Sequence, residues 1–221
     1  MALNSRSRDI VNNMHEYHFH IMGCGAIGSS TAIQLVRMGA EKFSLYDFDI
    51  VEDVNIGVSQ FTMNDVGLLK VEALQNHIES INPDARIYAF NGIVKDLDDY
   101  KHEDDNDIGI LGFDSMESRL DAVNAMCSNP KHKPLCIVDG RMGAEQFQQY
   151  IFDKPTVNSY KKTWYPDSEG DPEPCNAKAT SYCSNMSGSF IVNAIRKYVT
   201  KQPYDREICF NFPAMMLGKK R

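Results

Sequence analysis

The stretch that most limits what this chain can fold into runs from His18 to Asn55. It opens on an apolar run, Phe19, Ile21 and Met22, then breaks into Gly23-Cys24-Gly25-Ala26-Ile27-Gly28. A helical pattern follows, with Ala32, Leu35 and Val36 on one face, and stops at Gly39. A second strand, Phe43 to Tyr46, ends in two acids, Asp47 and Asp49. Strand, glycine turn, helix, strand, acid is the order of a nucleotide-binding βαβ unit. Glycines permit a tight turn and a close backbone approach to phosphates, and the helix N-terminus offers unpaired N–H donors to an anion. An acid 24 residues after Gly23 stands where a ribose hydroxyl would lie. The alternative is a glycine turn that serves helix–strand packing alone.

A chain of 221 residues, 43% hydrophobic and 24% charged, is long enough for a substantial core and is expected to form a single α/β domain over 1–221. The net charge of −7 argues against nucleic acid as a main partner, because phosphate backbones favour basic surfaces. No apolar run approaches the ~20 residues that span a bilayer, so no membrane role is expected. The N-terminal segment is too polar for a signal peptide. Six cysteines (24, 127, 136, 175, 183 and 209) lack CxxC spacing, which suggests neither a zinc site nor a disulfide framework. The expectation is a cytoplasmic protein with reduced thiols.

Further along, Val66 to Ile81 reads as a helix, with Val71, Leu74, Ile78 and Ile81 at helical spacing and Asn82-Pro83 as its stop. Arg86 to Phe90 is a short strand, and an acidic linker follows. Asp107 to Phe113 is a nearly continuous apolar run and so a strand buried on both faces. A helix then reaches about Cys127, and Leu135 to Val138 is a fifth strand ending in Asp139-Gly140-Arg141. Phe147 to Phe152 alternates apolar and polar residues, as an antiparallel strand with one wet face does. Residues 154–177 form the longest irregular piece, a small-residue helix covers about 177–200, and Ile208 to Phe212 is read as the last strand. The architecture expected is α/β and Rossmann-like: a mainly parallel sheet flanked by helices, with antiparallel strands toward the C-terminus. Acids at the ends of parallel strands, Asp47, Asp114 and Asp139, would gather at the carboxyl edge, where open α/β sheets bind ligands. His18 and His20 share one face of the first strand and are expected to be packed.

These motifs, in this order, resemble the ubiquitin-activating-enzyme-like adenylyltransferases of the ThiF/MoeB/HesA superfamily over roughly Ser7 to Ala194. Gly23, Gly25 and Gly28 match the family's glycine turn. Asp47-Phe48-Asp49 matches its Asp-x-Asp, with Asp47 as the ribose ligand. Asn55 to Gln60 matches its Asn-Leu-x-Arg-Gln only in part. Gly67-Leu68-Leu69-Lys70 matches its Gly-x-x-Lys, and Asp114 with Arg119 its acid at a strand end and following arginine. Ser7-Arg8 looks like the segment that reaches across a dimer toward the partner's nucleotide.

The resemblance implies activation of a C-terminal carboxylate by ATP as an acyl-adenylate. Lys70 and Arg8 would stabilise the phosphoryl charge, and Asp114 would hold Mg2+. Asn55 would hydrogen-bond phosphate or ribose. The implied partner is a ubiquitin-like or sulfur-carrier protein, or a peptide with a free C-terminus, and the implied assembly is a homodimer. Cys175 stands about where some family members carry an acyl-accepting thiol. Two departures stand out: no arginine lies between Asn55 and Lys70, where Val58 or Ser59 takes its place, and no zinc is expected. Arg141 or a partner subunit is a candidate replacement for the missing cation. Each residue also has a plainer role: Lys70 as a solvated helix lysine, Asp114 as a helix cap, Asn55 as a turn residue, Cys175 as packing. Two other functions remain open, a catalytically weak family member kept as a binding module and an NAD-dependent Rossmann oxidoreductase.

Overall fold

A computed structural model of the protein describes residues 5–95, 106–128, 133–169 and 179–220. Eight strands form one sheet: β1 (His18–Met22), β2 (Lys42–Asp47), β3 (Arg86–Asn91), β4 (Asp107–Leu111), β5 (Cys136–Gly143), β6 (Gln146–Asp153), β7 (Glu207–Asn211) and β8 (Met216–Lys220). Their order is β3-β2-β1-β4-β5-β6-β7-β8. The pairs from β3 through β5 are parallel and those from β5 to β8 antiparallel. The chain therefore winds outward from β1 to β3, then returns to place β4 on the other side of β1. That reversal puts the topological switch point, where such sheets bind ligands, at the carboxyl ends of β1 and β4.

The helices are α1 (Ala26–Arg37), α2 (Asp53–Ile56), α3 (Lys70–Ile81), α4 (Met116–Ser128), α5 (Val157–Tyr160) and α6 (Ser181–Val199). Two apolar clusters cover the two sheet faces. One joins Phe19, Ile21, Phe43, Leu45 and Val138 to the inner sides of α1, α3 and α6. The other joins Met22, Tyr46, Leu111 and Ile137 to Val123 and Met126 of α4 and to Tyr160 of α5. Alternate side chains of β1 thus supply both layers, as a strand buried on both faces requires.

Small residues set how closely α6 lies on α1. A Cβ on Gly188 would come within 2.4 Å of Ser30 Oγ and 2.8 Å of the Ser30 carbonyl carbon, so the helices approach almost to backbone contact. Hydroxyls line the seam: Ser30 donates to the Asn185 carbonyl (3.3 Å), and Ser184 Oγ lies 3.1 Å from the Ala26 carbonyl oxygen. The N-terminal turn of α6 is thereby fixed beside the glycine turn that starts α1.

Several boundaries differ from the sequence reading, each for a local reason. The helix expected from Val66 begins at Lys70, because Gly67 adopts a positive φ of 91° and Leu69 is extended. Residues 67–69 instead pair with 49–51: Gly67 N donates to Val51 O, Val51 N to Leu68 O, and Ile50 bridges Leu69. The fourth strand ends at Leu111 rather than Phe113, since Gly112 turns in to donate to Met22 O (2.7 Å). β5 runs on to Gly143, and α6 begins at Ser181 rather than about 177. The irregular 154–177 piece contains α5 and a 3-10 turn, Asp167–Glu169. Ile208 to Phe212 does not close the chain, because β8 returns against β7 as an exposed edge strand. Most of the acidic linker, 96–105, lies outside the described residues.

The acid at the end of β5 has become a buried anchor. Asp139 is fully buried and receives Arg119 Nη1 on one oxygen, with Arg141 Nε (2.9 Å), Arg141 Nη2 (2.7 Å) and Tyr160 Oη (3.2 Å) on the other. Arg119 also donates to the Leu111 and Phe113 carbonyls, which fixes the chain leaving β4. Removing one member of a buried ion network strands the remaining charges in low dielectric. Asp139→Ala is expected to cost about 3–5 kcal/mol, read as a lower midpoint in urea unfolding.

Candidate active site

Gly23, Gly25 and Gly28 divide between two tasks. Gly23 has φ +93°, and a Cβ there would lie 2.7 Å from Phe113 N and 2.8 Å from the Gly112 carbonyl carbon. A Cβ on Gly28 would lie 1.8 Å from Gly23 O. Both glycines are therefore required by the protein's own backbone crossing between β1, α1 and β4. Gly25, the N-cap of α1, has nothing within 4 Å of the equivalent position. The open approach to the helix N-terminus runs over Gly25, and that is where an anion has room.

Asp47, at the carboxyl end of β2, is 7% exposed. Its Oδ2 accepts from Cys24 N (2.7 Å) and its Oδ1 from Asp49 N (2.9 Å). These bonds tie the end of β2 to the glycine turn and orient the carboxylate. Burial pushes the Asp47 pKa up, an effect that Lys70 and the two backbone donors offset only in part. Cys24 itself is fully buried, and burial followed by Asp47's charge pushes its thiol well up.

Lys70 opens α3 and reaches back to Asp49, with Nζ 2.6 Å from Oδ2. Its own backbone N–H donates to the Asp49 carbonyl (2.9 Å). Its side chain is 12% exposed, against 50% for Asp49, so the plainer alternative of a solvated helix lysine does not describe it. Burial alone would lower the Lys70 pKa, but Asp49, Asp47 and Asp114 outweigh it and hold the ammonium above its usual range. Asp114 thus lies near enough to act on Lys70, although the two come from opposite sides of β1. It is exposed, and among the described residues nothing hydrogen-bonds to its carboxylate.

Asp114 is not the cap of α4. Asp167, from the loop after α5, accepts from Met116 N (2.7 Å) and Ser115 Oγ (3.1 Å), and Trp164 Nε1 donates to Met116 O (2.7 Å). Sequence reasoning missed Asp167, and no local pattern announces a cap supplied 51 residues downstream. Asp49 was seen as half of the Asp-x-Asp but not as the partner of Lys70.

Asn55 lies in α2, where its Oδ1 accepts from Glu52 N (2.9 Å), leaving its amide N–H2 group as donor. The following loop is stitched to two helices. Gln60 N donates to Ser29 Oγ (3.1 Å), Gln60 Nε2 to Asn185 Oδ1 (2.7 Å), and Ser184 Oγ to Val58 O (2.5 Å). Arg141, named as a stand-in for the arginine missing here, is committed elsewhere. It is 8% exposed, bound to Asp139 and to the Thr163 carbonyl (2.8 Å), and stacked on Tyr150.

The structure thus brings Gly25, Asp47, Asp49, Lys70 and Asp114 to one edge, and it leaves Arg8 apart from them. Arg8 is exposed in a series of turns before β1. The adjoining anchors, Asn13 Nδ2 to Val199 O (3.4 Å) and Asn106 Nδ2 to Glu16 O (3.2 Å), belong to the opposite, amino edge of the sheet. Cys175 lies outside the described residues. Of the five described cysteines, only Cys209 is exposed. Burial pushes Cys127 and Cys183 each to about 11, so neither is a ready thiolate.

A profile of the ThiF family matches residues 1–212. The chain belongs to the ThiF family. Ubiquitin-like modifier-activating enzyme 5 of Xenopus laevis is 32% identical over 120 residues, covering 49% of this chain and 30% of that protein. The Drosophila persimilis enzyme of the same name is 34% identical over 120 residues, covering 49% and 31%. The matches take in about a third of the curated relatives' own length. Among solved structures, E. coli MccB with ATP superposes at a TM-score of 0.73 and 16% identity, covering 96% of this chain and 65% of that one. PaaA superposes at 0.71 and 16%, covering 100% and 77%. At such identity the likeness shows the fold, and it is the Rossmann-like sheet described above. Among the described residues of this ThiF-family chain, no helix is long and apolar enough to cross a membrane.

The contrast between the glycines is testable. Gly28→Ala is expected to destabilise by about 3 kcal/mol or more, since backbone must move. Gly25→Ala is expected to cost about 1 kcal/mol or less, yet to weaken any rise in Tm that a nucleotide produces in the wild type. Thermal unfolding with and without nucleotide measures both.

Proposed function

We propose that this chain is an ATP-dependent adenylyltransferase that activates the C-terminal carboxylate of a ubiquitin-like or sulfur-carrier protein, or of a peptide. One observation carries the reading: a covered lysine, Lys70, stands among Asp47, Asp49 and Asp114 beside the open N-terminus of α1. Hydride transfer to NAD gives that lysine and the free carboxylate of Asp114 no shared task. Family membership supports the reading, as does the likeness to MccB, a protein crystallised with ATP and with MccA.

In the reaction, a carboxylate oxygen attacks the α-phosphorus of ATP, the bond to the β-phosphate breaks, and pyrophosphate leaves. Asp47 accepts a ribose hydroxyl and sets the nucleotide's depth. The backbone N–H groups at Gly25 and the start of α1 take phosphate oxygens. Lys70 neutralises charge that grows at the α-phosphoryl group, where a fixed cation in a dry site is worth most. It exchanges Asp49 for phosphate oxygen as it does so. Asp114, an uncommitted hard oxygen donor in an acidic setting, fits Mg2+, which supplies further charge neutralisation when bound. Asn55 donates its amide N–H to phosphate or ribose.

A second reading, a binding module of low catalytic power, is favoured by one finding. No arginine lies near Val58 in the sequence, and Arg141 is held by Asp139. ATP–pyrophosphate exchange with candidate carboxyl-terminal peptides separates the two, and NAD in place of ATP tests the oxidoreductase. Exchange is expected with ATP, together with a raised Tm that NAD does not give. Lys70→Ala and Asp114→Ala are each expected to cut exchange about a hundredfold, the effect of roughly 3 kcal/mol of lost electrostatic stabilisation. Cys175→Ala is expected to leave exchange intact while abolishing any thiol-sensitive acyl adduct. No exchange with any peptide, alongside intact ATP binding, would favour the binding module.

Arg8 is proposed to act in trans, in a homodimer. Sedimentation is expected to give a dimer. Mixing Arg8→Ala chains with Lys70→Ala chains is expected to restore part of the exchange activity, because a mixed dimer holds one complete site. A monomer that exchanges at the wild-type rate would count against this role.

A further inference from the structure

At the opposite edge of the sheet, among the described residues, His18, His20 and Asp107 bring three metal-binding donors together. His18 and His20 are two residues apart on β1, so both rings project from the same face. The parallel register sets Asp107, the first residue of β4, directly beside His18. All three are deeply buried, at 2%, 0% and 0% exposure. His18 Nδ1 lies 3.3 Å and His20 Nε2 3.2 Å from the same oxygen, Asp107 Oδ1.

The second nitrogen of each ring is also placed. His18 Nε2 lies 2.9 Å from Ser44 Oγ, and His20 Nδ1 lies 3.3 Å from Tyr46 Oη. His18 Nδ1 is left buried with no hydrogen-bond partner, which ordinarily costs about 1–3 kcal/mol. Ligand distances of about 2.0–2.2 Å around tetrahedral zinc imply donor–donor edges of roughly 3.3–3.6 Å. The two separations, 3.3 and 3.2 Å, lie at and just below the short end of that range. A metal-bound histidine holds its ring by donating its other N–H to an oxygen acceptor, as these rings can to Ser44 and Tyr46.

We propose that His18 Nδ1, His20 Nε2 and Asp107 form a structural zinc site that clips β1 to β4. The second Asp107 oxygen or a water completes the coordination. Zinc would coordinate the buried His18 nitrogen, and its charge would balance that of the carboxylate. The site uses no cysteine, so the cysteine spacing that argued against zinc did not bear on it. Its place at the amino ends of the strands, across the sheet from Lys70 and Asp114, makes it a fastening rather than part of the chemistry.

The experiment uses tag-free full-length protein, exposed to zinc and dialysed exhaustively, with metal measured by plasma mass spectrometry. About one zinc per chain is expected. Cobalt substitution is expected to give the intense visible bands of tetrahedral Co(II). The size-conserving variants His18→Gln and Asp107→Asn, each checked for folding by circular dichroism, are expected to lose both signals. Should a variant unfold, the wild-type zinc content and cobalt spectrum still decide. Folded wild-type protein with no zinc above buffer and no cobalt bands would overturn the proposal, and leave a buried His–Asp–His ion pair in its place. Equal zinc in wild type and both folded variants would also overturn it.

Discussion

Everything at the carboxyl edge of the parallel strands depends on one backbone crossing, where the end of β1, the start of α1 and the end of β4 meet without side chains. The Gly23 carbonyl sits where a Cβ of Gly28 would be, and the backbone of Gly112 and Phe113 where a Cβ of Gly23 would be. Backbone bonds close the knot, with Gly23 N on Tyr46 O (2.8 Å) and Gly112 N on Met22 O (2.7 Å). Because three chain segments are fixed by mutual exclusion, the strand ends beside them inherit fixed positions. Asp47 is oriented by Cys24 N, and Asp114 follows Gly112 by two residues, so both acids are placed by the crossing. Gly25 is the one glycine of the turn that the crossing does not consume.

Charge at this edge is divided between structure and availability. Asp139 takes both arginines and the Tyr160 hydroxyl in the interior, and other guanidinium N–H groups go to the Leu111, Phe113 and Thr163 carbonyls, with Arg119 Nε left unpaired among the described residues. Such a network is costly to disturb, which is why Arg141 makes a poor mobile replacement for an active-site arginine. Lys70 is held differently. Its partner Asp49 is half exposed, so water screens the pair and the lysine can change partners at small cost. The cation at this edge that is free to change partners is therefore Lys70, and any second one must come from outside this group of residues.

The first βαβ unit was legible because its signals are local: an apolar strand, a glycine turn, helical spacing, then an acid. The antiparallel character of Phe147 to Phe152 was legible from alternation alone. Elements whose cause is remote were not. Val66 to Leu69 carries apolar residues that extend a helical pattern backward, but pairing with 49–51 and the positive φ of Gly67 override it. β8 has no core-facing residue, all five positions being exposed, so no hydrophobic pattern marks it. At the site, the acids and Lys70 could be named from the sequence, but their partners could not. Asp49 for Lys70, Asp139 for Arg119 and Asp167 for the start of α4 are choices made by packing between residues 20 or more apart in the chain.

Asp167 shows how such a choice serves the site. A helix N-terminus draws the nearest acceptor to its unpaired N–H groups, a contact worth about 1 kcal/mol. Asp114, two residues ahead of α4, is the obvious acid to be drawn in, and a capping carboxylate would have its lone pairs turned toward the helix. The segment after α5 prevents this by bringing Asp167 to Met116 N and Ser115 Oγ, with Trp164 on the Met116 carbonyl and Glu117 accepting from Asp167 N (3.2 Å). Ser115 Oγ, accepting from Ser118 N (3.2 Å), supplies a local cap, Asp167 takes Met116 N from a distance, and the Asp114 carboxylate is left out of both. The same segment also holds Thr163, whose carbonyl receives Arg141. One loop thus both completes the buried Asp139 network and releases Asp114, so the order of residues 160–169 is coupled to the carboxylate that a cation would need.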